Sequence, residues 1–87
     1  MKKQKMYCGI DVSSETLDIC YQTASGEKLH KQVKNNKVGF QTIVKLCGKN
    51  YHYVMESTGV YHTALMFYLH EFGLVYSVIN ALQIKRY

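Results

Sequence analysis

Two carboxylates, Asp11 and Glu56, stand where apolar stretches of the sequence end, in YCGIDV and YHYVME. An unpaired charge on a buried strand is costly, so each acid needs a partner. Neighbouring carboxylates repel one another unless a proton or a cation lies between them. Oxygen ligands of this kind suit a hard cation such as Mg²⁺ or Mn²⁺. The pattern fits a metal site, but it also fits structural acids bonded to a turn or placed near a helix N-terminus.

The elements that would position these acids follow a β-β-β-α-β-α-β order. Apolar patterning predicts strands over 6–12, 16–22, 28–34, 51–56 and 74–79. It predicts one helix over 38–47 after an asparagine cap, and a second that opens at 57–59 and closes at Gly73. The lysine-rich third strand is typical of a sheet edge, and the nearly continuous apolar run LVYSVI is typical of a strand buried on both faces. The result is a mixed α/β sheet with an antiparallel meander and a parallel half.

In this arrangement the fourth strand lies beside the first and runs in the same direction. Because adjacent strands are about 4.8 Å apart, Asp11 and Glu56 should reach the same rim of the sheet. Asp18, on the second strand, is expected to lie well away from that rim, as a structural or solvent-facing residue. Asp11 would then be tolerated because it holds a metal with Glu56 as its neighbour.

Other residues near the predicted rim are candidates for contact with nucleic acid. Ser13 and Thr58 flank the two acids, although roles in a turn or a cap are the commoner explanation for such hydroxyls. His62 lies close to Glu56 in sequence, where its side chain could face a substrate. Lys85 and Arg86 follow the last strand and are candidates for phosphate contacts.

Composition narrows the class of protein. The chain has 87 residues and a net charge of +5, and its length suits one domain or a piece of one. The charge favours a polyanionic partner such as nucleic acid, or else a solvated basic surface. Cys8, Cys20 and Cys47 include no CxxC pair, which favours reduced core thiols over a zinc site. No apolar run is long enough for a membrane span, and the basic start does not lead into a signal peptide.

Three segments carry a resemblance to a known family: GIDVSSETLDIC, VMESTGVYHTAL and FYLHEFGLVYSVINALQIKRY. In order and spacing they resemble the amino-terminal part of bacterial insertion-sequence transposases with a DEDD, RuvC-like catalytic domain. This is the IS-one-ten group, which includes the Piv-type DNA invertases, and ESTGVYH is the most specific block. The resemblance implies a ribonuclease-H-like fold, of which 1–87 is the N-terminal portion of a single catalytic domain. It also implies metal-dependent phosphodiester cleavage and strand transfer in DNA transposition, with Asp11 and Glu56 as catalytic ligands of Mg²⁺ or Mn²⁺.

The resemblance carries further expectations. It implies DNA and a structured RNA of the element as partners, in the bacterial cytoplasm near the nucleoid. The family's DxxD pair and its nucleophilic serine belong to later parts of such a protein, so the chain alone is expected to be inactive. The family's NPxQ motif reads NALQ at 80–83, without its proline. An apolar sheet surface left uncovered predicts self-association, in the simplest case a dimer.

Two other functions remain compatible with the residues. An actin-like phosphotransferase also begins with a strand and an aspartate, but it normally holds phosphate on a glycine-containing turn, and 13–15 reads SSE. A non-catalytic basic module for nucleic acid would use Asp11 and Glu56 only structurally. Its affinity for nucleic acid would then not depend on Mg²⁺ or Mn²⁺.

Overall fold

A computed structural model of the protein describes residues 6–80, which form one five-stranded sheet and two α-helices. The elements are β1 (Met6–Val12), β2 (Thr16–Gln22), β3 (Lys28–Lys34), α1 (Lys37–Cys47), a 3₁₀ turn (Gly48–Asn50), β4 (Tyr51–Ser57), α2 (Thr63–Glu71) and β5 (Tyr76–Asn80). The strand order is β3-β2-β1-β4-β5. The β1–β2 and β2–β3 pairs are antiparallel, and the β1–β4 and β4–β5 pairs are parallel. The predicted α/β class is confirmed, and the sheet is consistent with a partial ribonuclease-H-like domain.

Short turns build the meander. The amide of Ser13 donates to the carbonyl of Thr16 at 3.0 Å, and the Ser13 hydroxyl donates to the same oxygen at 2.9 Å. The second turn uses Gly26 at a φ of 96°, a conformation that favours glycine. The third strand is an edge strand, as its lysines predict.

Both helices pack on one face of the sheet and form a single apolar core with it. Side chains alternate between the faces of a strand, so every second residue of β1 and β4 is buried. The core consists of Cys8, Ile10, Val12, Leu17, Ile19, Phe40, Ile43, Cys47, Tyr51, Tyr53, Met55, Leu65, Leu69 and Leu74. Burying one large aliphatic side chain stabilises the fold by about 1.5–3 kcal/mol, so this face fixes the register of all the inner strands.

The opposite face is covered by no helix among residues 6–80, and we call it the uncovered face. By register it carries Tyr7, Gly9, Asp11, Thr16, Asp18, Cys20, Gln22, Lys28, His30, Gln32, Lys34, His52, Val54, Glu56, Ser77 and Ile79. Most of these side chains are polar, so the expectation of an apolar uncovered surface is wrong for this face. Val54 and Ile79 are its larger aliphatic members, and Ile79 is 38% exposed.

Two elements in the second half of the chain, the last strand and the second helix, differ from the prediction made from the sequence. The last strand is not buried on both faces, because β5 is the outer strand of the described sheet and Val78 is 39% exposed. The second helix does not open at 57–59. It begins at Thr63, whose amide and hydroxyl both donate to the carbonyl of Val60, at 3.1 and 2.7 Å. Val60 is consequently 73% exposed and is not part of the core.

The three thiols are free, and two of them are core residues as predicted. Cys8 and Cys47 are buried between the sheet and α1. Cys20 is the exception, because its side chain lies on the uncovered face, half-buried, with Sγ 3.8 Å from His30 Nε2. Within 6–80, no helix is both long enough and apolar enough to cross a lipid bilayer.

Candidate functional site

Asp11 and Glu56 are register partners on the neighbouring parallel strands β1 and β4. Directly paired residues project from the same face, and both carboxylates lie exposed on the uncovered face. Their backbones are one strand spacing apart, about 4.8 Å. The preceding pair, Ile10 and Met55, is buried on the other face. A slip of one residue would turn both acids into the core, so the packing of the core fixes their orientation.

Asp18 joins this pair, contrary to the sequence expectation. It is the register partner of Asp11 on the antiparallel strand β2 and lies on the same face. The reason is the tight turn closed by Ser13, which brings the start of β2 directly beside the end of β1. Asp18, Asp11 and Glu56 therefore form a row of three exposed carboxylates across the sheet, which we call the acidic row.

The members of the acidic row are not equivalent. Oδ1 of Asp18 accepts a hydrogen bond of 2.9 Å from Nε2 of Gln32, its partner on the edge strand β3. Asp18 is therefore tied toward the edge of the sheet. Glu56 has Ile79 of β5 on its other side, so the row ends there. Of the three acids, the central Asp11 is the one with a carboxylate neighbour on both sides.

Asn35 links the loops that follow the two acid-bearing strands. Its Nδ2 donates to the carbonyl of Ser13 at 2.8 Å and to the carbonyl of Tyr61 at 3.0 Å. Its backbone amide donates to the carbonyl of Glu15 at 2.9 Å. The end of β3 is thereby attached to the β1–β2 turn and to the loop before α2. These bonds hold the rim of the sheet, the end at which β1 and β4 finish.

Replacing Asn35 by alanine is expected to lower the free energy of unfolding by about 1–2 kcal/mol, because two side-chain hydrogen bonds of about 1 kcal/mol each are lost. Urea unfolding followed by circular dichroism measures the change. Asn50→Ala is the matched control, since Asn50 is an exposed asparagine at the opposite end of the sheet. Equal stabilities of the two variants would show that the Asn35 bonds do not hold the rim.

The candidate phosphate contacts are placed unevenly around this rim. The Ser13 hydroxyl is used within the turn, in bonds to the carbonyl and the hydroxyl of Thr16. Thr58 is exposed in the loop after β4. His62 stands at the N-terminus of α2, and its buried Nδ1 has no hydrogen-bond partner among the described residues. Lys85 and Arg86 lie outside the described residues.

Reasoning from the sequence missed Asp18 and Asn35. A signal for Asp18 was present, because Asp11 and Asp18 are equally far from the Ser14–Glu15 bond, and they must pair if a tight hairpin is centred there. Asn35 gave no comparable signal. It reads as a helix cap, but Asn36 is the cap residue, and its Oδ1 accepts from the amide of Gly39 at 2.9 Å.

The donor set of the rim suits a hard cation in part. Within 6–80, no group of three or more His, Cys, Asp or Glu side chains is arranged to hold a metal ion. Mg²⁺, however, is commonly bound by one or two carboxylates and completes its octahedron with water and substrate phosphate oxygens. Asp11 and Glu56 are exposed oxygen donors on neighbouring strands, and this pair fits that mode of binding.

Comparison with known proteins identifies the family. A family model of DEDD transposases of the IS110 (IS-one-ten) group, described as "Transposase", matches residues 8–87. No curated protein matches the chain. The matched region spans every described element from Cys8 of β1 onward and includes both Asp11 and Glu56. The chain therefore belongs to the DEDD transposase family of the IS110 group.

Proposed function

We propose that this chain contributes two acids, Asp11 and Glu56, to a Mg²⁺- or Mn²⁺-dependent site that cleaves DNA phosphodiesters and transfers strands during transposition. The observation that carries the proposal is the register pairing of these two exposed carboxylates on the uncovered face of a member of a transposase family. DNA is the substrate that the family implies. The pair is placed at the end of parallel strands, where open α/β sheets bind their ligands.

The chemistry follows from what the residues of the rim can do. A divalent cation at such a site neutralises phosphate charge and lowers the pKa of a bound water. Asp11 and Glu56 would be its protein ligands, and their orientation is set by the buried residues on either side of each acid. Thr58, two residues after Glu56, is exposed and is available as a hydrogen-bond donor to a phosphate oxygen. The Ser13 hydroxyl, engaged in the turn, contributes by shaping the loop.

Binding of Mn²⁺, read by the loss of its free-ion electron paramagnetic resonance signal, tests the proposal without requiring activity. The wild-type chain is expected to bind the ion. Asp11→Asn and Glu56→Gln are each expected to weaken binding at least about tenfold, because a lost carboxylate ligand is not replaced by a neutral amide. Glu71→Gln removes the same charge from the exposed end of α2 and serves as the control.

If all three variants bind Mn²⁺ as the wild type does, Asp11 and Glu56 are not its ligands and the basic-module hypothesis takes precedence. That module would bind nucleic acid equally well with and without Mn²⁺. A titration with ATP tests the actin-like alternative, which requires the chain to bind this nucleotide. Its glycine-dependent phosphate turn has no counterpart at 13–15, where no residue has a positive φ.

The remaining expectations stay part of the proposal. A structured RNA partner and a position near the bacterial nucleoid rest on the family resemblance. Self-association as a dimer also stays a prediction. Of the described surface, the exposed apolar residues nearest to a sheet edge are Val75, Val78 and Ile79 on or next to β5, so that edge is the surface at which we would place it.

A further inference from the structure

Charge is segregated along the described chain. Its lysines all fall between residues 28 and 49, a stretch with no Asp or Glu, and all of its acids fall outside that stretch. The lysines are Lys28, Lys31, Lys34, Lys37, Lys45 and Lys49, and each is exposed. The six lysines therefore lie on the edge strand β3, on α1 and on the 3₁₀ turn. The strands that carry the acidic row, β1, β2 and β4, contain none of them.

Two of these lysines lie at the rim. Lys34 pairs with Thr16, which in turn bonds to Ser13, so Lys34 is level with the turn that follows Asp11. It lies on the uncovered face, the same face as the acidic row. Lys37 is the first residue of α1 and directly follows the bend after β3. Lys45 and Lys49 lie at the other end of α1, which leads to the start of β4 at the opposite end of the sheet.

Hydrogen bonds hold the rim lysines in place. Asn35 lies between them in sequence, and its bonds to the carbonyls of Ser13 and Tyr61 attach this bend to the loops after both acid-bearing strands. The amide of Asn36 donates to the carbonyl of Lys34 at 2.9 Å. The position of the rim lysines relative to Asp11 and Glu56 is therefore part of the fold.

Lys37 occupies a position that helix stability disfavours. The N-terminus of a helix carries a partial positive charge that favours Asp or Glu, and a cation there is unfavourable by a few tenths of a kcal/mol. The first turn of α1 nevertheless contains no acid and begins with this lysine. A local choice that opposes stability is expected at sites that serve function.

From these observations we infer that Lys34 and Lys37 bind the phosphate backbone of double-stranded DNA next to the acids of the rim. The inference rests on the proposed function for the identity of the polyanion, and it adds the surface along which the DNA lies. Gln32 is level with Asp11 two strands across the sheet, and Lys34 lies two residues beyond it, so the backbones of Lys34 and Asp11 are about 12 Å apart. A DNA strand whose axis follows this line covers the separation in about three to four nucleotides, at an axial rise of about 3.4 Å per nucleotide. A phosphate held at Asp11 and Glu56 thus has flanking phosphates within reach of the rim lysines.

Fluorescence anisotropy with a short labelled DNA duplex, titrated at several KCl concentrations, tests the inference. The double variant Lys34→Gln and Lys37→Gln is expected to bind roughly tenfold more weakly, and its slope of log affinity against log salt should fall by about 0.9 per lysine. The matched control, Lys45→Gln with Lys49→Gln, removes the same charge more than a Debye length away and should change affinity less than about twofold.

A single variant guards against an effect of folding. Lys37→Glu places an acid where the helix dipole favours one, so it should melt at the same temperature as the wild type or higher. It should nevertheless bind the duplex more weakly than Lys37→Gln does. Weaker DNA binding together with retained thermal stability separates a DNA contact from a structural role.

Equal losses in the rim and control double variants would overturn the inference, because they would mean that DNA responds only to total charge. A Lys37→Glu variant that binds the DNA duplex as tightly as the wild type does would overturn the inference as well. A loss seen with an RNA duplex but not with DNA would reject DNA as the occupant. The Mn²⁺ titration decides the metal site separately. Mn²⁺ binding through Asp11 and Glu56 with no effect of the rim lysines would refute this inference alone.

Discussion

Gly39→Ala is expected to lower the free energy of unfolding by about 3 kcal/mol or more, beyond the usual range for overpacking. Gly39 lies buried in the first turn of α1, where this helix meets the end of β3. An added Cβ would lie 1.8 Å from the carbonyl oxygen of Lys34 and 2.9 Å from its carbonyl carbon. These are backbone atoms held by the Asn36 amide, so they cannot move aside without loss of the rim hydrogen bonds.

Helix propensity alone predicts that Gly39→Ala raises the free energy of unfolding. Alanine is favoured over glycine in a helix by about 1 kcal/mol, so a helix free of tertiary contacts would be stabilised. Gly59→Ala is the control, because a Cβ there would meet only ring carbons of Tyr61 at 3.8 Å and beyond. Chemical unfolding of both variants measures which substitution lowers the free energy of unfolding. A Gly39→Ala protein as stable as Gly59→Ala would mean that the helix and β3 are not in close contact.

Alkaline pH is expected to destabilise the protein, starting near pH 10. Burial raises the pKa of the Tyr53 hydroxyl above its ordinary value of 10.0. This group is neutral when protonated, so the folded state retains a proton that the unfolded state releases. Its contribution to stability is complete below the unfolded pKa and is lost as pH rises above that value, by about 1.4 kcal/mol per pH unit.

Tyr53→Phe removes this ionisable group. At pH 7 it should lower the free energy of unfolding by about 1 kcal/mol, because the bond of 2.8 Å from the Tyr53 hydroxyl to the Gly48 carbonyl is lost. Above pH 10 the difference from the wild type should narrow, since the variant has one group fewer to ionise. Urea unfolding at pH 7, 9 and 10.5 measures both effects. Tyr61→Phe replaces an exposed tyrosine, and its free energy of unfolding should depend on pH as that of the wild type does. The same pH dependence in Tyr53→Phe would show that ionisation of Tyr53 does not destabilise the folded state.

Much of this fold can be predicted from the sequence because its local signals agree. Strict alternation in TLDICYQ and KLHKQVK gives the meander, and the change to helical spacing after Asn36 gives α1 within one residue of its start. The helical crossover through α1 returns the chain, so β4 runs parallel to β3 and β1. The observed register confirms that Asp11 and Glu56 are neighbours, as predicted.

What could not be predicted depends on neighbours rather than on local pattern. A nearly continuous apolar run such as LVYSVI has the same sequence pattern whether or not another element covers it, so the pattern did not predict the exposure of β5. Val60 falls in phase with the helical residues, but the bonds of Thr63 to its carbonyl start α2 later. The bonds of Asn35 join three segments that are distant in sequence, and no spacing rule indicates them.

The parallel pairing of β1 with β4 sets the order in which the molecule can assemble. The meander closes through turns of a few residues, whereas β4 reaches β1 only after β2, β3 and α1 have been formed or bypassed. Closing so long a loop carries a larger entropic cost and slows folding. Asp11 and Glu56 meet only when that long-range contact forms. A chain arrested at the hairpin stage would present one acid without the other, so a ligand shared by the two acids recognises only the completed fold and draws the folding equilibrium toward it.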